Sequence, residues 1–534
     1  MSSQDKPWLK YWSKEVPTHI NYPNISLQGL LEASAKRFPE KTALIYTDRK
    51  ITYAQLETFA NKFANALIEL QIAKGDRVAL FMPNIPEFVI AFFGTLKAGA
   101  VVTTISPIYR EREVEKQLND SGVQTIVTLN TLFPIVQAVK EKTELKRILV
   151  VSSEDTCGFD PSLTGIPIKE LLSRANSEQP QVELNPEVDL AALQYTGGTT
   201  GTAKGAMLTH RNLVSNALAF AATIKGAAED VFLTALPLFH IYGMTTSMTV
   251  PISVGAKMVL LPKFSPAQAL DAIQRNQVTV FCGVPTMYQI LLANPDLTKY
   301  DLTSIRVCIS GASSLPPQVQ RRFMEVTGGF LAEGYGLTEA SPVTHCTPVD
   351  KKLSLRIGSI GLPLPDTEAQ IVDVETSAPL KVGETGELAV KGPQVMKGYW
   401  HNPEETGIVL RNGWLLTGDI ARMDSDGYFY ITDRKKDLIK TKDYSVYPRE
   451  VEDILCEHPA VKLCAVVAKH DALAGDVPKA FVVLKDCVEA SVEELMDFVN
   501  QKVAPYKAIQ EVEFRKELPI SGAGKVLRRV LKTK

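Results

Sequence analysis

The stretch YTGGTTGTAKG, residues 195–205, puts four glycines, four threonines and one lysine into eleven positions. Glycine lets backbone N–H groups approach a ligand closely, threonine adds hydroxyl donors, and Lys204 adds a point charge. That combination suits an anion rich in oxygen, a phosphate above all. The apolar run LAALQY before it reads as a strand, and RNLVSNALAFAAT after it reads as a helix with Thr209 or His210 at its start. The loop is thus expected to join a strand to a helix. The Walker A pattern does not fit, because Lys204 is preceded by Ala203 and followed by Gly205, not Ser or Thr. A plain surface loop would not concentrate donors between two apolar segments.

The elements that must position this loop have an α/β texture. Helical periodicity covers 53–70, a strand-like run covers 76–82, and a helix follows near 86–98. The runs AGAVVTTI (98–105), TIVTL (125–129), RILVV (147–151) and VTVFCGV (278–284) alternate with helical segments at 132–142 and AQALDAIQRN. Strands alternating with helices imply parallel sheets in layered units. From about 350 the texture becomes short β segments split by turns, so a small β-rich subdomain is expected over about 350–432. After Asp433 an α+β segment follows, with helix candidates 448–457 and 491–503 and strand candidates 462–468 and 480–485. The expected division is a large domain, 1–432, and a small mobile domain, 433–534. With no low-complexity linker between them, the junction at Asp433 must be a tight hinge.

Composition excludes several classes. Lys+Arg is 58 and Asp+Glu is 60, so the net charge of −2 gives no reason to expect nucleic acid as a partner. The basic end, Arg528, Arg529, Lys532 and Lys534, is expected to be a solvated helix face. Seven scattered cysteines without a CxxC pair argue for reduced thiols and against a zinc site or a disulfide framework. The charged start MSSQDKPWLKYWSKEV lacks an apolar signal region. The apolar stretch 88–96 is too short to span a bilayer, and 244–261 contains Pro251, Gly255 and Lys257. A cytoplasmic location is expected, with peripheral membrane contact left open and the oligomeric state unread.

Further motifs stand in order along the chain: LPLFHIYGM (236–244), ISGASSL (309–315), GYGLTE (334–339), TGD (417–419), DRKKD (433–437), VYPREVE (446–452) and LPISGAGKVLRR (518–529). Together with YTGGTTGTAKG they resemble the adenylate-forming superfamily of acyl-CoA synthetases, luciferases and peptide-synthetase adenylation domains. The resemblance runs from ITYAQL (51–56) to the end, and TGGTTG, FHIYGM and GELAVKG look most like its medium- to long-chain fatty acyl-CoA ligase branch. The implied reaction has two steps. A carboxylate, here a fatty acid, attacks the α-phosphate of ATP to give an acyl-adenylate and pyrophosphate. The thiol of coenzyme A then displaces AMP. The alternatives are another acceptor, such as a carrier-protein thiol or oxygen, or a nucleotide-binding regulator without turnover.

Residue by residue, the resemblance implies that Thr196, Thr199, Thr200 and Lys204 hold the β- and γ-phosphates, with Gly198 and Gly201 giving backbone access. Tyr335, between Gly334 and Gly336, would lie on the adenine, with the Gly311 and Ala312 backbone on its other face. Thr338 would touch the α-phosphate and Glu339 would bind Mg²⁺, whose hard oxygen chemistry suits one carboxylate plus phosphates. Asp419 would accept from the ribose hydroxyls, assisted by Arg434, and Lys436 would join the nucleotide contacts. His240 would stand at the carboxylate end of an acyl pocket lined by Met244, Val284, Pro285 and Gly311. A lone histidine among Phe239 and Tyr242 is otherwise an ordinary packed residue. Lys525, on the glycine-flanked SGAGK, would bridge the substrate carboxylate and the α-phosphate.

One position departs from the family. The loop after DRKKD reads LIKTKDYSVYPREVE, and the glycine that lines the pantetheine passage in relatives aligns with Asp443. A carboxylate there would narrow the passage and oppose the phosphates of coenzyme A, unless the loop shifts and Asp443 points to solvent. Asp443→Gly is expected to raise the rate of thioester formation and to leave adenylate formation unchanged. Separate assays of pyrophosphate exchange and acyl-CoA release check this, and equal thioester rates would place Asp443 in solvent.

Overall fold

The computed structural model describes residues 6–152, 165–196, 203–350, 355–441, 444–471, 475–520 and 526–532. The chain forms two compact units. The larger comprises residues 8–368 and 391–415, and the smaller comprises 1–7, 369–390 and 416–534. By this grouping the β-rich segments 369–390 and 416–432 belong with the C-terminal segment, and Asp433 lies inside the smaller unit.

The larger unit is built on two sheets. A nine-stranded sheet has the parallel neighbours Phe330–Gly336, Val307–Ser310, Val280–Gly283, Val231–Thr234, Lys257–Leu260 and Thr42–Tyr46 at its centre. An eight-stranded sheet has parallel neighbours Val101–Thr104, Arg77–Phe81, Thr125–Leu129 and Arg147–Val151. These strands are buried on both faces, which is why they read as unbroken apolar runs and not as alternating ones. The helix Tyr53–Glu69 begins at a capping box in which Thr52 and Gln55 satisfy each other's backbone N–H. It packs beside the helix Pro86–Lys97, whose residues are buried almost throughout. The apolar stretch at 88–96 is therefore core. At its end Lys97, 3% exposed, is held by Glu32 at 2.9 Å and Glu57 at 2.7 Å, so a buried ammonium is paired twice. The second apolar stretch folds as the helical segments Ile241–Met244, Thr245–Thr249 and Val250–Val254 and the strand Lys257–Leu260. Among the described residues no helix is long and apolar enough to cross a membrane.

In the smaller unit, strands Thr385–Lys391, Trp414–Met423 and Phe429–Arg434 are joined in one sheet. A second sheet pairs Val461–Asp471 with Gly475–Leu484 over ten residues or more each, longer than the apolar runs alone indicated. The helices Pro448–Cys456 and Val492–Asn500 cover it through Val451, Leu455, Leu495 and Val499.

Candidate active site

Strand Leu190–Thr196 turns back on strand Lys204–Thr209 as an antiparallel hairpin, with Tyr195 opposite Gly205 and Thr196 opposite Lys204. The glycine–threonine stretch thus connects two antiparallel strands, and not a strand to a helix as expected from its sequence. The helix His210–Thr223 starts only after the second strand, at the N-cap Thr209, whose hydroxyl accepts from Asn212 N at 3.2 Å. The six residues KGAMLT form a strand where they read as an approach to the helix. A Cβ at Gly205 would lie 2.9 Å from Leu193 Cδ1, so a larger residue there would shift that side chain. Thr196 and Lys204 close the base of the glycine–threonine stretch. Gly198, Thr199, Thr200 and Gly201 lie outside the described residues.

The next motifs meet because three adjacent strands run parallel. Gly283 pairs with Ser310, and Ser310 with Glu333, so Val284–Pro285, Gly311–Ala312 and the GYGLTE segment all leave from the same edge of the sheet. Ligands of layered α/β folds bind at such carboxyl ends. Tyr242 spans this edge, its hydroxyl donating to the carbonyls of Ile309 at 3.0 Å and Gly283 at 3.3 Å. Gly311 lies against it, and a Cβ there would meet Tyr242 Cζ at 2.9 Å. Ala312 takes the left-handed backbone, φ 71°. His240 caps the helical segment Ile241–Met244, its Nδ1 accepting from Tyr242 N at 3.2 Å. Met244 is fully buried and Val284 buried at the edge. Tyr335 pairs with His345, with ring centroids 5.9 Å apart. Gly336 admits no side chain, since a Cβ would stand 2.1 Å from the Pro342 carbonyl oxygen. Thr338 then opens the turn Thr338–Ala340 that presents Glu339.

A two-residue strand joins these parts. Gly398 pairs with Met207 and Tyr399 with Ala206. On one side Met396 N donates to the Glu339 carbonyl at 2.8 Å, and on the other Trp400 N donates to the Gly205 carbonyl at 2.8 Å. The Tyr399 hydroxyl donates to Glu339 Oε1 at 2.7 Å. Its ring centroid is 5.3 Å from Lys204 Nζ, within cation–π range. Burial, and then the Glu339 carboxylate beside it, push the phenol well above its usual range, so Tyr399 stays a neutral donor. Lys204 Nζ is also 2.5 Å from Glu405 Oε2. One oxygen of Glu339 is engaged by Tyr399, and the second is what a cation requires. No cluster of three or more His, Cys, Asp or Glu forms a metal cage among the described residues. The donor set fits a cation that arrives on phosphate oxygens. Neither Tyr399 nor Glu405 stands in a motif singled out from the sequence; two strand residues that pair with a distant edge leave no local signal.

In the smaller unit Asp419 and Arg434 are paired strand residues, with Arg434 Nε 3.2 Å from Asp419 Oδ1. Gly418 before it has φ 72° and donates its N–H to Glu387 Oε1 at 2.9 Å, which fixes the turn that presents Asp419. Lys435 holds the other oxygen of Glu387 at 2.9 Å, while Lys436 next to it is exposed. Asp433 is 2% exposed and accepts from Arg434 N and Arg449 N, each at 2.7 Å. Arg528 gathers three carboxylates: Glu452 at 2.5 Å, Asp437 at 3.1 Å and Asp433 at 3.6 Å. The expected solvated basic face is therefore wrong at Arg528, which is largely enclosed by partners 76 to 95 positions earlier in the chain. Lys525 and Asp443 lie outside the described residues. The bridge between Ile520 and Val526 brackets the first, and the pairing of Thr441 with Tyr444 flanks the second.

The AMP-binding enzyme profile matches residues 31–400, and the AMP-binding enzyme C-terminal domain profile matches 450–525. The chain belongs to the AMP-binding enzyme family. It is 45% identical over 553 residues to a long-chain-fatty-acid–CoA ligase of Bacillus subtilis (strain 168), spanning 99% of this chain and 98% of the relative. It is 38% identical to the protein of that description from Escherichia coli O6:H1, over 99% and 98% of the two chains. Among solved structures it is similar to an anthranilate CoA ligase in complex with anthranoyl-AMP, with a TM-score of 0.88 and 29% identity over 95% of this chain and 97% of that one. It is also similar to ATP-bound MatB from Rhodopseudomonas palustris, with a TM-score of 0.86 and 30% identity over 95% and 98%.

Burial pushes the Asp433 carboxyl up from 3.8 to about 6, against the lowering effects of the Arg449 N–H, Arg528 and the Arg434 N–H. A folded value above the unfolded one means the folded chain holds this proton more tightly. The contribution is full below about 3.8 and is lost as pH rises through about 6. Asp433→Asn, which mimics the protonated acid, should therefore gain stability relative to the parent as pH rises from about 4 to 6, by of order 2–3 kcal/mol, and the difference should level off above about 7. Urea unfolding of both proteins across pH 3.5–8 checks the sign.

Proposed function

We propose that this chain is an ATP-dependent, AMP-forming ligase that joins a long-chain fatty acid to coenzyme A. The observation that carries the proposal is that Tyr399 contacts both Lys204 and Glu339, next to a stretch dense in glycine and threonine. One cation and one carboxylate gathered on a neutral ring suit a magnesium triphosphate. The names of the full-length relatives support the fatty acid and the thiol acceptor.

In the first half-reaction a carboxylate oxygen of the fatty acid bonds to the α-phosphorus, and the bond from that phosphorus to the bridging oxygen breaks. Lys204, with Thr196 and the loop threonines, takes the charge that builds on the leaving pyrophosphate. Thr338 donates to the α-phosphate. Glu339 would hold a Mg²⁺, which would supply charge screening for the phosphate oxygens. Tyr335 and the Gly311–Ala312 backbone hold the adenine, and Asp419 with Arg434 and Lys436 holds the ribose side. His240 stands by the fatty carboxylate, and Lys525 bridges it to the α-phosphate. In the second half-reaction the thiol sulfur bonds to the acyl carbon, the acyl–phosphate bond breaks, AMP leaves, and the thiol proton passes to solvent. A pivot at Asp433 would exchange Lys525 for the thiol passage between the two steps, the kind of motion that sets turnover in many enzymes.

The test is a panel of carboxylic acids scored for pyrophosphate and AMP with and without coenzyme A. Long-chain acids should release pyrophosphate, and AMP should appear at full rate only with coenzyme A. AMP release independent of coenzyme A would point to another acceptor, and no acid-dependent pyrophosphate would mean no turnover. Lys525→Ala should slow adenylate formation at least about 10²–10³-fold, the cost of removing one oxyanion donor. A pyrophosphate-exchange rate near that of the parent would remove Lys525 from the site.

A further inference from the structure

Glu405 sits in the first turn of the helix Pro403–Val409, where Asn402 Oδ1 caps it by accepting from Glu405 N at 3.1 Å. Its carboxylate meets the Lys204 ammonium at 2.5 Å, and the two side chains are 38% and 20% exposed. The same ammonium faces the Tyr399 ring, whose hydroxyl is bonded to Glu339. Three ionised groups therefore converge here, one cation and two carboxylates. A triphosphate that takes Lys204 must displace whichever carboxylate already holds it. Tyr399 keeps Glu339 engaged, so the group that must yield is Glu405. Any anion that takes Lys204 has to compete with a carboxylate already attached to the same unit of the chain, and its apparent affinity falls by the fraction of time Lys204 is free.

We propose that Glu405 is the resident counter-ion of Lys204. An incoming triphosphate displaces its carboxylate, and the carboxylate returns to the ammonium as pyrophosphate departs. This rests on Lys204 being a phosphate ligand. The pair sets two quantities in opposite senses: it weakens nucleotide capture, and it prevents pyrophosphate from lingering on the cation after the first half-reaction. Because both anions need the same free ammonium, removing the competitor must tighten both by a similar factor.

The experiment is direct binding by calorimetry, without turnover, of pyrophosphate and of a non-cleavable α,β-methylene analogue of ATP, each with magnesium. In Glu405→Gln both dissociation constants should fall by about three- to five-fold, the range expected for releasing a half-exposed ion pair. In turnover, the KM for ATP should fall while inhibition by pyrophosphate strengthens by the same factor. Glu404→Gln removes the same charge from the same helical turn without touching Lys204 and should change neither constant. On a Lys204→Gln background, Glu405→Gln should have no further effect, because its action runs through that ammonium. Unchanged or weakened binding in Glu405→Gln, with circular dichroism matching the parent, overturns the proposal. Equal tightening by Glu404→Gln overturns it as well, by assigning the effect to general charge. If Lys204→Gln alone leaves pyrophosphate binding unchanged, the phosphate role of Lys204 fails, and the counter-ion falls with it.

Discussion

Tyr399 joins a cation and a carboxylate that lie far apart in the chain, Lys204 and Glu339. Its hydroxyl occupies one oxygen of Glu339 at 2.7 Å, and its ring face receives Lys204 at 5.3 Å. With Glu405 already on Lys204, a further direct pair between Lys204 and Glu339 would tie up both groups. A phenol is suited to the position because it donates a hydrogen bond without bringing a charge, and burial keeps it protonated. The rest of the larger unit can be understood as the frame that holds this ring in place.

That frame is supplied by two different uses of β-structure. The parallel neighbours of the nine-stranded sheet bring Gly283, Ser310 and Glu333 into line, so segments dozens of residues apart in sequence emerge side by side. The Tyr242 ring at Gly311 and the Pro342 carbonyl at Gly336 then stand where a side chain would be. The eight-stranded sheet contributes an antiparallel margin, where the hairpin ending in Lys204 is bound by Gly398 and Tyr399. Parallel strands gather the motifs, and the antiparallel margin presents the charge.

Much of this was legible in the sequence, for local reasons. The apolar periodicity of Tyr53–Glu69, the buried runs of the parallel strands and the cap at Thr209 are written within a few residues of where they act. The glycine–threonine loop stands out by composition, but the strand after it does not, because the six residues beginning Lys-Gly carry no apolar–polar alternation that tells them from a helix approach. Tyr399 and Glu405 left no mark at all, since their partners lie 60 and 201 positions earlier. Arg528 looked like one more charge in a basic tail, and only the fold assembles Asp433, Asp437 and Glu452 around it. Buried charge is a property of assembly and not of composition.

The margin strand also has a consequence for how the molecule is made. Lys204–Thr209 is an edge until Gly398 and Tyr399 cover it, and roughly 190 residues must be synthesised between Thr209 and Gly398. At about 5–20 residues per second the ribosome needs about 10–40 s for that length. Throughout that interval the nascent chain carries an open row of backbone donors and acceptors, a surface that invites pairing with a neighbouring nascent chain or capture by a holding chaperone.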